Sequence, residues 1–204
     1  MQSNYQFSDL TTCIQELEKF KASNRQDEFF KEEVLRFYSI AGTVIETFDD
    51  IEHNVNQRMI SHILIRSLLE NFFWLLYIYD DSSKSAARFE EYLNGFKIEY
   101  RKLYDDPNFQ LKNSIEKPDA SWASLKKPKN VNDVLTGMFS VHGDRLNHLY
   151  PLYRVSSFDT HGKSLKNLFE ASFKKSCDFP YIKIKPIVDL MADLYVVTWN
   201  QIKP

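Results

Sequence analysis

The chain has 204 residues, 43% of them apolar and 26% charged, enough for one domain with a substantial core. Five glycines are few for a sheet-rich fold, while sixteen Phe and eleven Tyr supply bulky filler for packed helices. Net charge is only −2, yet residues 1–109 hold twelve Lys/Arg against nineteen Asp/Glu and residues 110–204 hold fourteen against nine, so an anionic ligand is steered toward the second half.

A first helix is expected from about Ser8 to Ala22, capped by Ser8 or Asp9, with Leu10, Ile14, Leu17 and Phe20 at helical spacing. Cys13 and Cys177 are too few for a disulfide framework or a zinc site. A second helix fits Asp27 to about Asp50, its buried stripe marked by Phe30, Val34, Phe37, Ala41, Val44, Ile45 and Phe48. His53 falls in the turn that follows and takes no role. The third helix, about 54–79, is apolar nearly all round in its second half and is expected at the centre of the fold. His62, Arg66, Glu70 and Asn71 within it argue against a membrane span.

Ser82 or Ser83 is the candidate cap of a fourth helix running to about Tyr104, with Phe89, Tyr92, Leu93, Phe96 and Tyr100 in register; Asp105-Asp106-Pro107 ends it. Residues 108–130 read as a long polar loop with a short helix over Phe109 to Ile115. Trp122 beside Lys126, Lys127 and Lys129 is a candidate RNA contact, although such a tryptophan commonly pins its loop to the core. Further helices are expected over Val131–Phe139, capped by Asn132, over Asp144–His161 with a bend at Pro151, over Ser164–Phe173, and over Pro186–Ile202. Arg145 and His148 then lie at a solvated helix start, and His142 in a turn. No strand pattern convinces, Tyr181–Ile184 included. The expected fold class is all-α, a single-domain multi-helix bundle spanning 1–204 around the long apolar helix. Met1-Gln2-Ser3-Asn4 has no basic or apolar leader pattern, so a cytoplasmic protein without a membrane partner is expected.

Two sets of polar residues carry the chemistry. His62, Arg66 and Glu70 recur at steps of four in the most apolar segment, where an uncompensated charge is costly. Arg66 and Glu70 can pair with each other or reach the helix that bears Arg154 and His161. The pair is then an internal lock fixing helix register, or the back wall of a polar cleft with Tyr153, Arg154, Ser157 and His161. His62 alone fits a satisfied core histidine. Arg154 and His161 are seven residues apart, close to two turns, so they share a face about 10 Å apart along the axis. A fixed guanidinium and a titratable imidazole can hold a phosphodiester and move a proton beside it. No Gly-rich phosphate loop, H-E-x-x-H or G-x-S-x-G is present. His62 with Glu70, or Asp159 with His161, could hold a metal, but nothing demands one and no cofactor is expected.

The run Ile65-Arg66-Ser67-Leu68-Leu69-Glu70, followed by Tyr153, Arg154, Ser157 and His161, resembles a bacterial family of helical domains without an assigned function. That family carries Arg-x-x-x-Glu in a long helix and a later Tyr-Arg-x-x-Ser-x-x-x-His segment, and the likeness extends over most of the chain. With six residues between them, Arg154 and His161 also resemble the R-x4-6-H signature of HEPN domains. Val155 stands where those ribonucleases commonly carry a polar residue. HEPN domains are helical bundles, often dimeric, and many are metal-independent ribonucleases of toxin–antitoxin and antiviral systems. The resemblance implies an endoribonuclease in which Arg154 binds the scissile phosphate and His161 is general acid or base. Tyr153 or Ser157 would add a hydrogen bond, and Arg66 with Glu70 would orient the site. It implies RNA, a second copy and an antitoxin or defence partner as associates. The alternative reading is a non-catalytic interaction or nucleotide-binding domain whose polar cluster is structural; a small-molecule enzyme using the same cleft is a third.

Overall fold

In the computed structural model, which describes residues 7–48, 55–162, 164–177 and 183–203, every regular element is helical. The elements are α1 (Phe7–Lys19), α2 (Arg25–Phe48), α3 (Val55–Tyr79), α4 (Ser85–Asp105), α5 (Val131–Thr136), α6 (Tyr150–Thr160), α7 (Leu165–Phe173) and α8 (Ile184–Ile202). Single 3-10 turns occupy Lys112–Ser114, Ala120–Ser124 and Asn147–Leu149. His53, Tyr181, Ile182 and the side chain of Phe48 lie outside the described residues.

The all-α expectation holds, with α3 at the centre. It packs against α2, α4, α5, α6 and α8, so its second half has no solvent face to mark with polar residues. Phe72 through Ile78 are buried without interruption. Full burial of one such side chain contributes about 1.5–3 kcal/mol. Tyr195 of α8 is fully buried and meets Phe37 of α2 at 4.9 Å and Phe72 of α3 at 5.4 Å, both edge to face. Helix α1 lies on α8 and α2 through Leu10, Ile14 and Leu17. By length and composition Arg58–Tyr79 could cross a bilayer, but 56% of that stretch is buried inside the bundle.

Several helix ends differ from expectation, each for a local reason. α4 starts at Ser85, because Asp81 takes Ser83 instead: its Oδ1 accepts from the Ser83 amide at 3.0 Å and the Ser83 hydroxyl at 2.6 Å. The cap of α5 is Asn130, whose Oδ1 accepts from the Asp133 amide at 3.1 Å, and not Asn132. That helix stops at Thr136 because Gly137 closes it, its amide reaching the Asp133 and Val134 carbonyls.

The helix expected from Asp144 begins only at Tyr150. Before it, Ser140–Asp144 is a closed loop: the Ser140 amide donates to the Asp144 carbonyl at 2.7 Å, and Gly143 takes φ +80°, a conformation open to glycine. Pro151 therefore opens α6, where its missing N–H is harmless, and does not bend a longer helix. Arg145 and His148 fall outside α6; Arg145 donates to the Thr136 carbonyl at 2.8 Å and stacks 4.0 Å from the Phe139 ring centre.

The 108–130 segment forms two 3-10 turns and packs on α4. The short helix expected over Phe109–Ile115 reduces to Lys112–Ser114. Trp122 is half-buried, its ring edge-on to Tyr100 of α4 at 6.1 Å.

Candidate functional site

Helix α6 lies along α3, and this contact joins the two polar sets. Arg66 of α3 is its centre. Its Nε donates to Ser157 Oγ at 2.9 Å, and its two terminal nitrogens donate to Glu70 Oε2 at 2.8 Å and Tyr153 OH at 2.8 Å. The guanidinium also lies 4.7 Å from the Tyr153 ring centre. The planar fork of arginine suits three acceptors arrayed around it. The Ser157 hydroxyl in turn donates to the Tyr153 carbonyl at 2.7 Å. Burial, and then the charge of Glu70, push the Tyr153 phenol above its ordinary value, so it stays protonated. The side chain of Arg66 is 17% exposed and that of Glu70 is 39% exposed, so the pair sits at a boundary and the Coulombic gain is moderate.

One turn away, His62 does not join this network. Its Nδ1 meets Asp159 Oδ2 at 2.7 Å, with both side chains nearly sealed. The other oxygen of Asp159 accepts from the Leu165 amide at 3.0 Å. One buried carboxylate thus ties α3, the end of α6 and the start of α7. His62 Nε2 is buried with no hydrogen-bond partner, which fits a neutral ring that donates from Nδ1 and leaves a bare lone pair inside. Burial accordingly holds the His62 pKa below its usual value, outweighing the opposite pull of Asp159. From the sequence, Asp159 stands out only as a possible metal ligand beside His161. Its partner lies 97 residues away, and no local spacing signals that contact. The described residues contain no cluster of three or more metal-ligating side chains.

Arg154 and His161 stand on the outer side of α6 and are both exposed. Together with Ser157 and Phe158 they line an open depression of about 180 Å³. Arg154 leans on Tyr150, with NH1 3.4 Å from the hydroxyl. His161 is the C-cap residue, its amide bonded to the Ser157 carbonyl at 3.1 Å, and Gly162 at φ +67° ends the helix there. Asp159, two residues earlier, therefore fixes where the imidazole emerges. From Tyr150 to Phe169 the sequence has one acid, Asp159, and it is buried. The outward side chains of this region leave a surface that favours anions.

The structure thus brings Arg154, Ser157 and His161 to one surface, with Arg66, Glu70 and Tyr153 behind it. It does not bring the loop residues to them. Trp122 and Lys127 line a separate cavity beside α4, of about 660 Å³. Lys129 pairs with Glu91 at 2.9 Å, and Lys126 is exposed.

No known family model matches the chain, and no curated protein or solved structure is significantly similar to it.

Proposed function

We propose that this chain is a HEPN-like, metal-independent ribonuclease. The observation that carries the reading is the open depression shared by Arg154, Ser157 and His161 on a surface without exposed acids between Tyr150 and Phe169. Arg154 would bind the scissile phosphate and stabilise charge on its oxygens as attack proceeds. His161 would take the proton of the ribose 2′-OH as its oxygen attacks the adjacent phosphorus; the P–O5′ bond breaks, the leaving 5′-oxygen takes a proton from water, and a 2′,3′-cyclic phosphate remains. Ser157, held by Arg66 and with its own proton on the Tyr153 carbonyl, sits between the two as a hydrogen-bond acceptor. Toxin or defence roles, and a homodimer that pairs two such sites, are the settings this chemistry fits.

Single-stranded RNA incubated with the protein in EDTA should be cut to products ending in a cyclic phosphate. His161→Ala and Arg154→Ala should each slow cleavage by about 10²–10⁴-fold. Cleavage absent in the wild type, or equal in all three, removes the enzyme reading. The internal satisfaction of Arg66 by three partners supports a second reading, a non-catalytic interaction or nucleotide-binding domain in which the cluster only locks α3 to α6.

A further inference from the structure

Beside the Arg154/His161 depression is an apolar groove of about 300 Å³ lined by Phe158, Leu165, Leu168, Phe169, Ser172 and Phe173. Its walls are unusually uncovered for such residues: Phe173 is 63% exposed, Leu168 51% and Phe158 41%. The cause is topological, since α6 is the one helix with which α7 makes substantial contact among the described residues. Phe158 lines both the groove and the depression, so its side chain is a wall common to the two. The rim is basic. Lys175 Nζ is 5.9 Å from the Phe169 ring centre, Lys166 follows Leu165 on the flank of α7 nearest Phe173, and Lys174 is exposed. The nearest acid on α7, Glu170, is half-buried and accepts from the Cys177 amide at 3.4 Å.

We infer that this groove is a nucleobase subsite, which seats unpaired bases of single-stranded RNA while the neighbouring phosphates meet Arg154 and Lys166. The inference rests on the ribonuclease reading for the identity of the polymer. Three features favour it. Exposed aromatic faces flanked by cations are the composition that stacks bases and follows a phosphate backbone. The shared Phe158 wall sets a base in the groove next to the phosphate held by Arg154. The nine residues of α7 span only about 13 Å, short for a protein interface that must cover about 800 Å² on each side. A duplex keeps its bases paired and stacked and cannot offer them to the groove, so the subsite selects single strands.

The test uses fully 2′-O-methylated RNA decamers, which cannot be cleaved through a 2′-OH, so that binding is read apart from turnover. Fluorescence anisotropy in EDTA compares an ordinary decamer, the same backbone with abasic sugars, and a duplex. The ordinary strand should bind about tenfold or more tightly than the abasic one, and the duplex no better than the abasic strand. Phe173→Ala and Phe158→Ala should erase that preference, and Phe173→Trp should keep it, with melting curves confirming folded protein. Equal binding of ordinary and abasic strands overturns the subsite. So does full retention of the preference in Phe173→Leu, which would mark the groove as a generic apolar face for an acidic peptide or a membrane. A protein that prefers bases yet never cuts unmodified RNA would sink the ribonuclease reading and leave the subsite standing. Cleavage without base preference would do the reverse.

Discussion

His62 shows how one side chain can carry both a structural role and a pH response. Its ring is sealed against Asp159 and its second nitrogen has no partner. A second proton would have to sit on that buried nitrogen, so the folded state binds a proton less readily than the unfolded chain, where histidine titrates near 6.5. Stability contributed by the neutral ring is complete above about pH 6.5 and is lost as pH falls below it, by up to about 1.4 kcal/mol per pH unit until the lowered folded value is reached. Urea unfolding at pH 7.5, 6.5 and 5.5 should show this decline, and His62→Gln should flatten it. A wild-type profile that rises on acidification would mean that Asp159 holds the ring charged.

Among the elements, α2 offers the cleanest gain. Gly42 lies inside this 24-residue helix, where glycine costs roughly 0.5–1 kcal/mol relative to alanine. A Cβ at that position would meet the Phe7 ring no closer than 3.8 Å, ordinary contact. Gly42→Ala should therefore stabilise by about 0.5–1 kcal/mol, read as a higher urea midpoint with an unchanged slope. A lower midpoint would place Phe7 closer than it is here.

The same scale explains which helices could be read from the sequence. Those with long apolar periodicity, such as Phe30, Val34, Phe37 and Ala41 in α2, were located to within a few residues. Ends were less legible, because capping is decided by which of several adjacent polar groups reaches an amide. Ser83 was claimed by Asp81, and Asn130 capped α5 in place of Asn132. The start of α6 is not legible because the Ser140–Asp144 loop closes through its own backbone, which leaves no side-chain pattern.

At the scale of the whole molecule, Arg66 couples the central helix to the helix that presents the site. Arg66→Ala removes three hydrogen bonds, two of them across to Ser157 and Tyr153 of α6, and leaves Glu70 without its cation. Because Glu70 is 39% exposed, it can rehydrate. The expected loss is about 2–3 kcal/mol, below the 3–5 typical of a fully buried pair. Arg66→Lys should recover little of it, since an ammonium cannot face Ser157, Glu70 and Tyr153 at once. Both are read from urea unfolding, and an unchanged midpoint in Arg66→Ala would contradict the lock.

By itself the sequence determined that the protein is helical, that α3 lies at its centre, and that Arg66 and Glu70 stand within reach of each other, because helix periodicity and i,i+4 spacing are local properties of the chain; that Arg66 also reaches Ser157 and Tyr153 was decided by packing. It also marked Arg154 and His161 as sharing one face. Only the tertiary structure decided that His62 leaves that stripe for Asp159, that Trp122 and its lysines pack away from α6, and that Phe158 joins two adjoining hollows. Those outcomes depend on which remote side chains meet when helices pack, and a contact between residues almost a hundred positions apart leaves no periodic trace in the chain that makes it.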